Sequence, residues 1–452
     1  MTTHIRKEIE ETKGYSLAVA GVPASGIQTL DMPKHCVVCP SAIPYIKPKL
    51  VVKDGDSVQK GAVLFYDKAR PSNHYVAPVS GYVSAIEYGP RRVIDAIRID
   101  VDTSIEPVKN PAHTESSIQE LSRDVIVSLL EKGGLWRVVK QLPFRVTAPS
   151  SEVPPSIIIA LGDNEPHSPS ASTVLADRDT EIRAGILALK KLSPTVHVVA
   201  HQSDTTTQHM LSDLITVQAK GDFPSMDPGV VLHGIKQSAD ENSAWYVHYQ
   251  DVIRIGQLLL TGEYPSEIVS VVAGPLVKKP EHIRSIEGVL YKHILTQLPS
   301  DNARYISGGV YTGRLTTREG ALSYGEYSVH VLPERYEREL LHFFMPGAQK
   351  PSYFRTFVSA LLPKKQTEAA TNLNGGVRAC IACSACPDVC PVGILPQFLA
   401  KALYNNDIEG AVELGLLDCA ECGLCSHICP SKIELTAIFK NAKQRLYKES
   451  TV

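Results

Sequence analysis

Residues 380–391 read CIACSACPDVCP and residues 419–430 read CAECGLCSHICP. Both follow C-x2-C-x2-C-x3-C-P, with a proline behind the last cysteine. Runs of this kind hold [4Fe–4S] clusters in pairs, the fourth cysteine of each run ligating the cube of the other. Two-residue gaps let one tight loop wrap three sulfurs around a face of a cube, and the fourth sulfur arrives from a distant segment. Proline then redirects the chain without an N–H in need of a partner. The spacing assigns one cluster to Cys380, Cys383, Cys386 and Cys429, and a second to Cys419, Cys422, Cys425 and Cys390. Crossed ligation forces the cubes close together, which suits electron hopping.

Other readings of eight thiols fit less well. Four disulfides need an oxidising compartment and usually a small scaffold. This chain has 452 residues and opens MTTHIRKEIEE, so no secretory leader is expected. Two zinc sites can be drawn from C-x2-C pairs, but they leave the fourth cysteine and the proline of each run unexplained.

Composition sets wider bounds. A hydrophobic share of 43% and a charged share of 21% are those of an ordinary globular protein long enough for three or four domains. A net charge of −2 offers no basic field for nucleic acid. No run of about 18 apolar residues is present, so no transmembrane segment is expected.

Four parts follow along the chain. Residues 1–110 centre on VVKDGDSVQKGAVLFYDK (51–68) and YVAPVSGYVSAIEYG (75–89), two alternating stretches with turn glycines. They read as hairpins of a small sandwich resembling the biotinyl/lipoyl barrel-sandwich hybrid. Asp67-Lys68-Ala69 matches a lipoyl tip literally, but the polar RPSNHY behind it reads as too long a loop for a tight hairpin. Cys36 and Cys39, a C-x2-C flanked by valines, read as buried packing.

Residues 111–255 alternate helix and strand signals, the pattern of a Rossmann-like parallel sheet. SSIQELSRDVIVSLLEKGG reads as one helix capped at Ser117. GDNEPHSP, behind the strand SIIIALGD, is the expected pocket rim, with Asp163, Asn164 and Glu165 as weak candidates for cofactor contact. Residues 256–350 read as a small α+β domain, residues 363–376 as a polar linker, and residues 377–452 as an all-helical dicluster domain. The chain as a whole is therefore a multidomain α/β protein with a β sandwich in front and a helical tail. No nucleophile, carboxylate pair or general base stands out, so no catalytic residue is assigned.

The order of parts resembles the RnfC component of the Rnf complex, whereas the local motifs resemble the NqrA component of the sodium-translocating NADH:quinone reductase. GLWRVVKQLPF (134–144), YQDVIRIGQLLLTGE (249–263), VAGPLVKKP (272–280), ISGGVYTG (306–313) and MPGAQKPSYFRTF (345–357) carry the second likeness over nearly the whole chain. It implies a biotinyl/lipoyl-like sandwich, a domain like the flavin domain of NADH dehydrogenases, and a small β-grasp-like (SLBB-like) domain. It further implies a peripheral cytoplasmic-face subunit held at the cell membrane by membrane subunits of the same complex, with quinone as the acceptor of that complex. Two departures stand out. Typical NqrA chains lack most of these cysteines, and here all eight are present. The RnfC chain has a glycine-rich flavin loop where this chain places Trp136 and Arg137, so FMN is not expected. An Rnf-type subunit in ferredoxin:NAD electron transfer, and an assembly subunit using its clusters as staples, are the alternative readings.

Overall fold

The computed structural model describes residues 7–295, 297, 302–334, 344, 346–348, 358–362, 366–369, 371 and 376–450. The stretch MPGAQKPSYFRTF and the linker at 363–376 lie for the most part outside the described residues.

Two antiparallel sheets form the sandwich. One orders His35–Val38, Ile94–Val101, Gly81–Tyr88 and Ser57–Val58; the other orders Pro48–Leu50, Val63–Asp67 and Arg70–Val76. Val58, Leu64, Phe65, Tyr75, Val83, Ile97 and Ile99 are buried in one hydrophobic cluster; Leu64 and Phe65, adjacent on their strand, cover both of its faces. RPSNHY is not a loop. It is part of the strand Arg70–Val76, and Asp67 faces Arg70 across a two-residue tip of Lys68 and Ala69. Polar side chains along an edge are compatible with a strand whose other face is covered, which is why polarity alone misleads here.

The second domain carries a seven-stranded sheet in the order Lys7–Glu10, Val217–Lys220, Val196–His201, Ile157–Leu161, Trp245–Tyr246, Lys140–Gln141 and Val146–Thr147. The first five are parallel. Ile157–Leu161 is buried throughout, as expected of a strand covered on both faces. The helices Asp179–Leu189 and Tyr249–Thr261 cross on that sheet through glycines. A Cβ on Gly185 would lie 2.1 Å from the carbonyl of Val252, and one on Gly256 1.8 Å from that of Glu181. Alanine at either position drives the helices apart.

Two expectations change here. SSIQELSRDVIVSLLEKGG is two helices, Glu115–Glu120 and Arg123–Lys132. Thr114 is the first N-cap and Ser117 its reciprocal partner, while Ser122 caps the second helix. The opening residues also leave the expected 1–110 block: Lys7–Glu10 pairs with Val217–Lys220, and Ala24–Thr29 pairs with Glu281–Ile286 in the third sheet. That sheet orders Arg314–Thr316, Ala303–Ser307, Ser328–Pro333, Glu267–Ala273, Glu281–Ile286 and Ala24–Thr29. An edge strand borrowed from far away has no local signal, because its partner's unpaired backbone groups select it.

Behind residue 376 the described chain is helical: Ala385–Asp388, Pro396–Tyr404, Ile408–Glu413, Leu424–His427 and Leu435–Ser450. Asp407 caps the third of these, its carboxylate accepting from Gly410 N.

Candidate metal centre

Each cysteine run folds as a loop twisted the same way. In the first, Ala382 and Ser384 have φ of 52° and 61°; in the second, Glu421 and Gly423 have φ of 55° and 83°. These residues flank the second cysteine of each run, Cys383 and Cys422. The left-handed region disfavours side chains with a Cβ, so three non-glycine residues are held there by their surroundings. Gly423 has a second reason for its identity: a Cβ there would sit 2.7 Å from the carbonyl of Tyr311.

Sulfurs collect in two cavities. One is lined by Cys380, Cys383, Cys386 and Cys429, with Ile381, Ala400 and Leu435. The other is lined by Cys419, Cys422, Cys425 and Cys390, with Val392, Leu424 and Phe439. Each cavity takes three cysteines from one run and one from the other. All ten cysteines are free, so no disulfide forms. Among the described residues no three His, Cys, Asp or Glu side chains converge as one metal ion requires. A zinc ion needs its sulfurs about 2.3 Å from a single point. Four sulfurs ringing an apolar cavity fit a larger group with its own metal–sulfide core.

Backbone groups and side chains hydrogen-bond the sulfurs: the backbone of Val392 and of Ile394 acts on Cys390, and that of Leu424 on Cys422. Cys386 Sγ donates to Gln397 Oε1 at 3.3 Å, Glu421 N donates to Cys419 Sγ at 3.4 Å, and Cys425 Sγ lies 3.7 Å from Thr436 Oγ1. Burial pushes the thiols of Cys386 and Cys390 up to about 11 and that of Cys425 to about 12. As bare thiols they stay protonated, whereas a coordinated metal takes them as thiolates.

The two cavities differ in their surroundings. Cys380 and Cys383 are exposed. The loop starting the second run is gripped by three cations instead. Lys236 Nζ reaches Asp418 at 2.6 Å, Lys443 Nζ donates to the carbonyl of Cys419 at 2.7 Å and to that of Pro143 at 3.2 Å, and Arg145 donates to the carbonyl of Ala420 at 2.8 Å. Lys443 also pairs with Glu421 at 3.1 Å, and Arg145 with Asp227 at 2.7 Å. Lys236, Pro143 and Arg145 belong to the α/β domain, so the second loop is fastened to that domain. Lys443 is missed by a sequence reading because, on the helix Leu435–Ser450, it reads as one of several solvent-facing lysines; it is 1% exposed.

The weaker candidates are engaged within the fold. Asp163 accepts from Glu165 N at 3.2 Å, and Asn164 donates to Ser225 Oγ at 2.9 Å. Glu165 reaches across to the ISGGVYTG loop, accepting from Tyr311 N at 2.5 Å, Thr312 N at 3.0 Å and Thr312 Oγ1 at 2.9 Å. Trp136 is buried against Trp245 and donates to the carbonyl of Ala148 at 2.8 Å. Arg137 pairs with Glu287 at 3.0 Å. Cys36 is buried, its Sγ 3.4 Å from the carbonyl of Glu287, and burial holds both Cys36 and Cys39 in the thiol form. Packing accounts for this pair.

Glu165 gives a pH-dependent latch between the loop behind Ile157–Leu161 and the loop at 311–312. Burial, then Asp163, raises its carboxyl to about 7 from 4.5. A raised value means the folded chain holds that proton more tightly than the unfolded chain. Its contribution is complete below about pH 4.5 and is lost as pH rises through about 7. Glu165→Gln keeps the acceptor and removes the charge. The variant is expected to gain stability over the parent between pH 5 and pH 8, by at most about 3 kcal/mol at 1.36 kcal/mol per pKa unit. Denaturant unfolding across that range checks it; a difference that stays flat with pH contradicts it.

The comparisons with known proteins agree with this layout. The model of the NqrA N-terminal barrel-sandwich hybrid domain matches residues 9–102, that of the NqrA second alpha/beta domain residues 121–264, and that of a 4Fe-4S dicluster domain residues 379–434. The NqrA chain of the Na(+)-translocating NADH-quinone reductase of Marinomonas sp. (strain MWYL1) is 33% identical over 97% of this chain and 99% of its own length. The corresponding chain of Klebsiella pneumoniae (strain 342) is 31% identical over 98% of this chain and 100% of its own. That of Pseudomonas aeruginosa PAO1 is 32% identical over 98% and 100%. On identity over nearly its full length, the chain belongs to the NqrA family of Na(+)-translocating NADH-quinone reductase subunits, with a 4Fe-4S dicluster domain at its C-terminal end.

Proposed function

We propose that this chain is a peripheral, cytoplasmic-face subunit of a sodium-translocating NADH:quinone reductase and holds two [4Fe–4S] clusters for electron transfer. Cys380, Cys383, Cys386 and Cys429 would hold one cluster, and Cys419, Cys422, Cys425 and Cys390 the other. The observation that carries the reading is the sorting of eight sulfurs into two cavities, three and one from each run. Such clusters supply one-electron transfer at potentials set by hydrogen bonds, charge and exposure. The protein's part is to fix the sulfurs, keep water from the inner cavity, and pin the Cys419 loop through Lys443 and Arg145.

Sodium transport and NADH oxidation are assigned to partner subunits, and quinone is the acceptor of the complex. No described helix is long and apolar enough to cross a membrane. FMN is not expected in this chain, because Trp136 and Arg137 are packed and paired where a phosphate would need bare backbone N–H groups. Metal and sulfide analysis of anaerobically purified protein tests the reading. The expected content is about eight iron and about eight sulfide per chain, with no stoichiometric flavin by mass spectrometry. Zinc in place of iron ends it.

A further inference from the structure

A threonine at the edge of the seven-stranded sheet gathers cations that have no anion. Thr147 is buried and faces Lys140 across the strand pair. Its Oγ1 accepts from Lys140 Nζ at 3.2 Å, and its carbonyl accepts from Arg70. Arg70 comes from the sandwich, and its second amino group donates to the Tyr447 hydroxyl at 2.9 Å, on the helix Leu435–Ser450. Tyr75, on the same strand as Arg70, is 1% exposed. Its hydroxyl has no partner in hydrogen-bond geometry, and Thr147, Arg137 and Arg70 are among the groups that act on it. Among the described residues neither Lys140 nor Arg70 has a carboxylate within ion-pair distance. The acidic groups that act on the cluster are engaged elsewhere: Asp67 accepts from the backbone N–H of Lys47 and of Ala69, and Asp251 pairs with Arg254 at 3.0 Å. An arginine has five N–H donors, a lysine three and a tyrosine one. With two used on Arg70 and one on Lys140, three, two and one remain. Cations drawn out of water without an anion are costly. Burial, then the charge of Arg137, lowers the Lys140 ammonium to about 8, and Arg70 adds to the effect. Lys140 and Arg70 are half-buried rather than sealed, so a small ion can reach them from solvent.

We propose that this cluster is a binding site for an oxyanion of the phosphate class, held by the guanidinium of Arg70, the ammonium of Lys140 and the hydroxyl of Tyr75. A guanidinium fork beside a lysine point charge is a combination suited to phosphate oxygens. The ion neutralises two neighbouring like charges and gives the Tyr75 hydroxyl an acceptor. It also ties the sandwich to the sheet edge and, through Arg70, to the helix whose Lys443 grips the Cys419 loop. None of these residues lines either sulfur cavity, so the site stands apart from the clusters. Free phosphate and the phosphate of a larger ligand share this chemistry.

The test follows urea unfolding of the full chain by tryptophan fluorescence, in phosphate and in chloride at equal ionic strength and neutral pH. Trp245 pairs with Gln141, the neighbour of Lys140, so the signal reports on this sheet edge. Phosphate should raise the midpoint and saturate, as a ligand of the folded chain does; chloride should not. Glycerol phosphate separates the two sources: protection by it as well assigns a phosphate monoester, and protection by phosphate alone assigns the free ion. Lys140→Met should bind phosphate tenfold or more weakly. Without phosphate it should unfold no earlier than the parent, because a cation lacking its anion has been removed. Tyr75→Phe loses one hydroxyl and keeps the ring that stacks on Phe65, so it should fold and bind severalfold more weakly. Lys53→Met, exposed on the sandwich, should keep the full response. A midpoint that moves equally in chloride, or a Lys140→Met chain that binds phosphate as the parent does, overturns the proposal.

Discussion

Cys390→Ala should damage the cluster of the second run's cavity and spare that of the first. Iron should fall from about eight to about seven where a three-iron species forms, or to about four where the cube is lost, although Cys390 belongs in sequence to the first run. The cause is reach. A three-residue gap and a proline carry Cys390 away from its own loop, and it lines the cavity of Cys419, Cys422 and Cys425. Removing one thiolate leaves an iron open to water, so a three-iron species or loss of that cube is the expected product. The four sulfurs of the other cavity are untouched, and Cys429→Ala should produce the mirror result. Iron analysis and low-temperature spectroscopy of the two variants decide it. Loss of the first run's cluster from Cys390→Ala would mean that each run holds its own cube.

The second large effect lies far from the sulfurs. Glu287 is 1% exposed and accepts from Arg254 at 2.8 and 2.7 Å, from Arg137 at 3.0 Å and from the Tyr264 hydroxyl at 2.6 Å. Arg254 is held further by Asp251 at 3.0 Å and by the carbonyl of Pro265 at 2.8 Å, and Arg137 lies 4.0 Å over the Tyr324 ring. The arginines flank the seven-stranded sheet and Glu287 follows the strand Glu281–Ile286 of the six-stranded sheet, so this network joins the two sheets. Burial alone would raise the Glu287 carboxyl; the two guanidiniums overcome it and hold the value below the usual one. A lowered value contributes stability above the unfolded pKa, and this is lost as pH falls through the folded one. Glu287→Ala leaves the buried Arg137 without its anion and Arg254 with Asp251 alone, which costs about 3–5 kcal/mol. Against a total of about 5–15 kcal/mol, such a loss can unfold the chain. Glu287→Gln keeps the shape and should lose less. Both tryptophans lie beside this junction, so their fluorescence reports its unfolding in urea. A cost under about 1 kcal/mol for Glu287→Ala would remove the network from the account.

What can be read from the sequence follows a physical division. The cysteine runs are legible because cluster ligation demands fixed spacing within a dozen residues. The parallel sheet is legible because a strand buried on both faces must be apolar throughout, as Ile157–Leu161 is. The helical tail is legible through the period of residues 396–413 and the break at Asn405-Asn406-Asp407. Contacts made across the chain leave no such trace. Lys7–Glu10 and Ala24–Thr29 join sheets more than 200 residues away. In GLWRVVKQLPF, Trp136 and Arg137 mark a departure from a flavin loop, but only folding brings them to Ala148 and Glu287. Arg145 reaches the Cys419 loop from 275 residues before Ala420, and Lys443 from a helix 24 residues behind Cys419. Glu165 stands out only as part of an acidic loop, and the partner it meets, the loop at 311–312, is some 146 residues on.

The most direct test of paired clusters is the electron paramagnetic resonance spectrum of the fully reduced, anaerobic protein. Crossed ligation, as proposed, would seat the two cubes side by side in the helical tail. Their unpaired electrons must then interact. The spectrum is expected to integrate to about two spins per chain and to show the broadened, split lines of magnetic coupling, simplifying to one uncoupled signal in Cys390→Ala. Two independent, unbroadened signals, or a single spin per chain, would contradict the account.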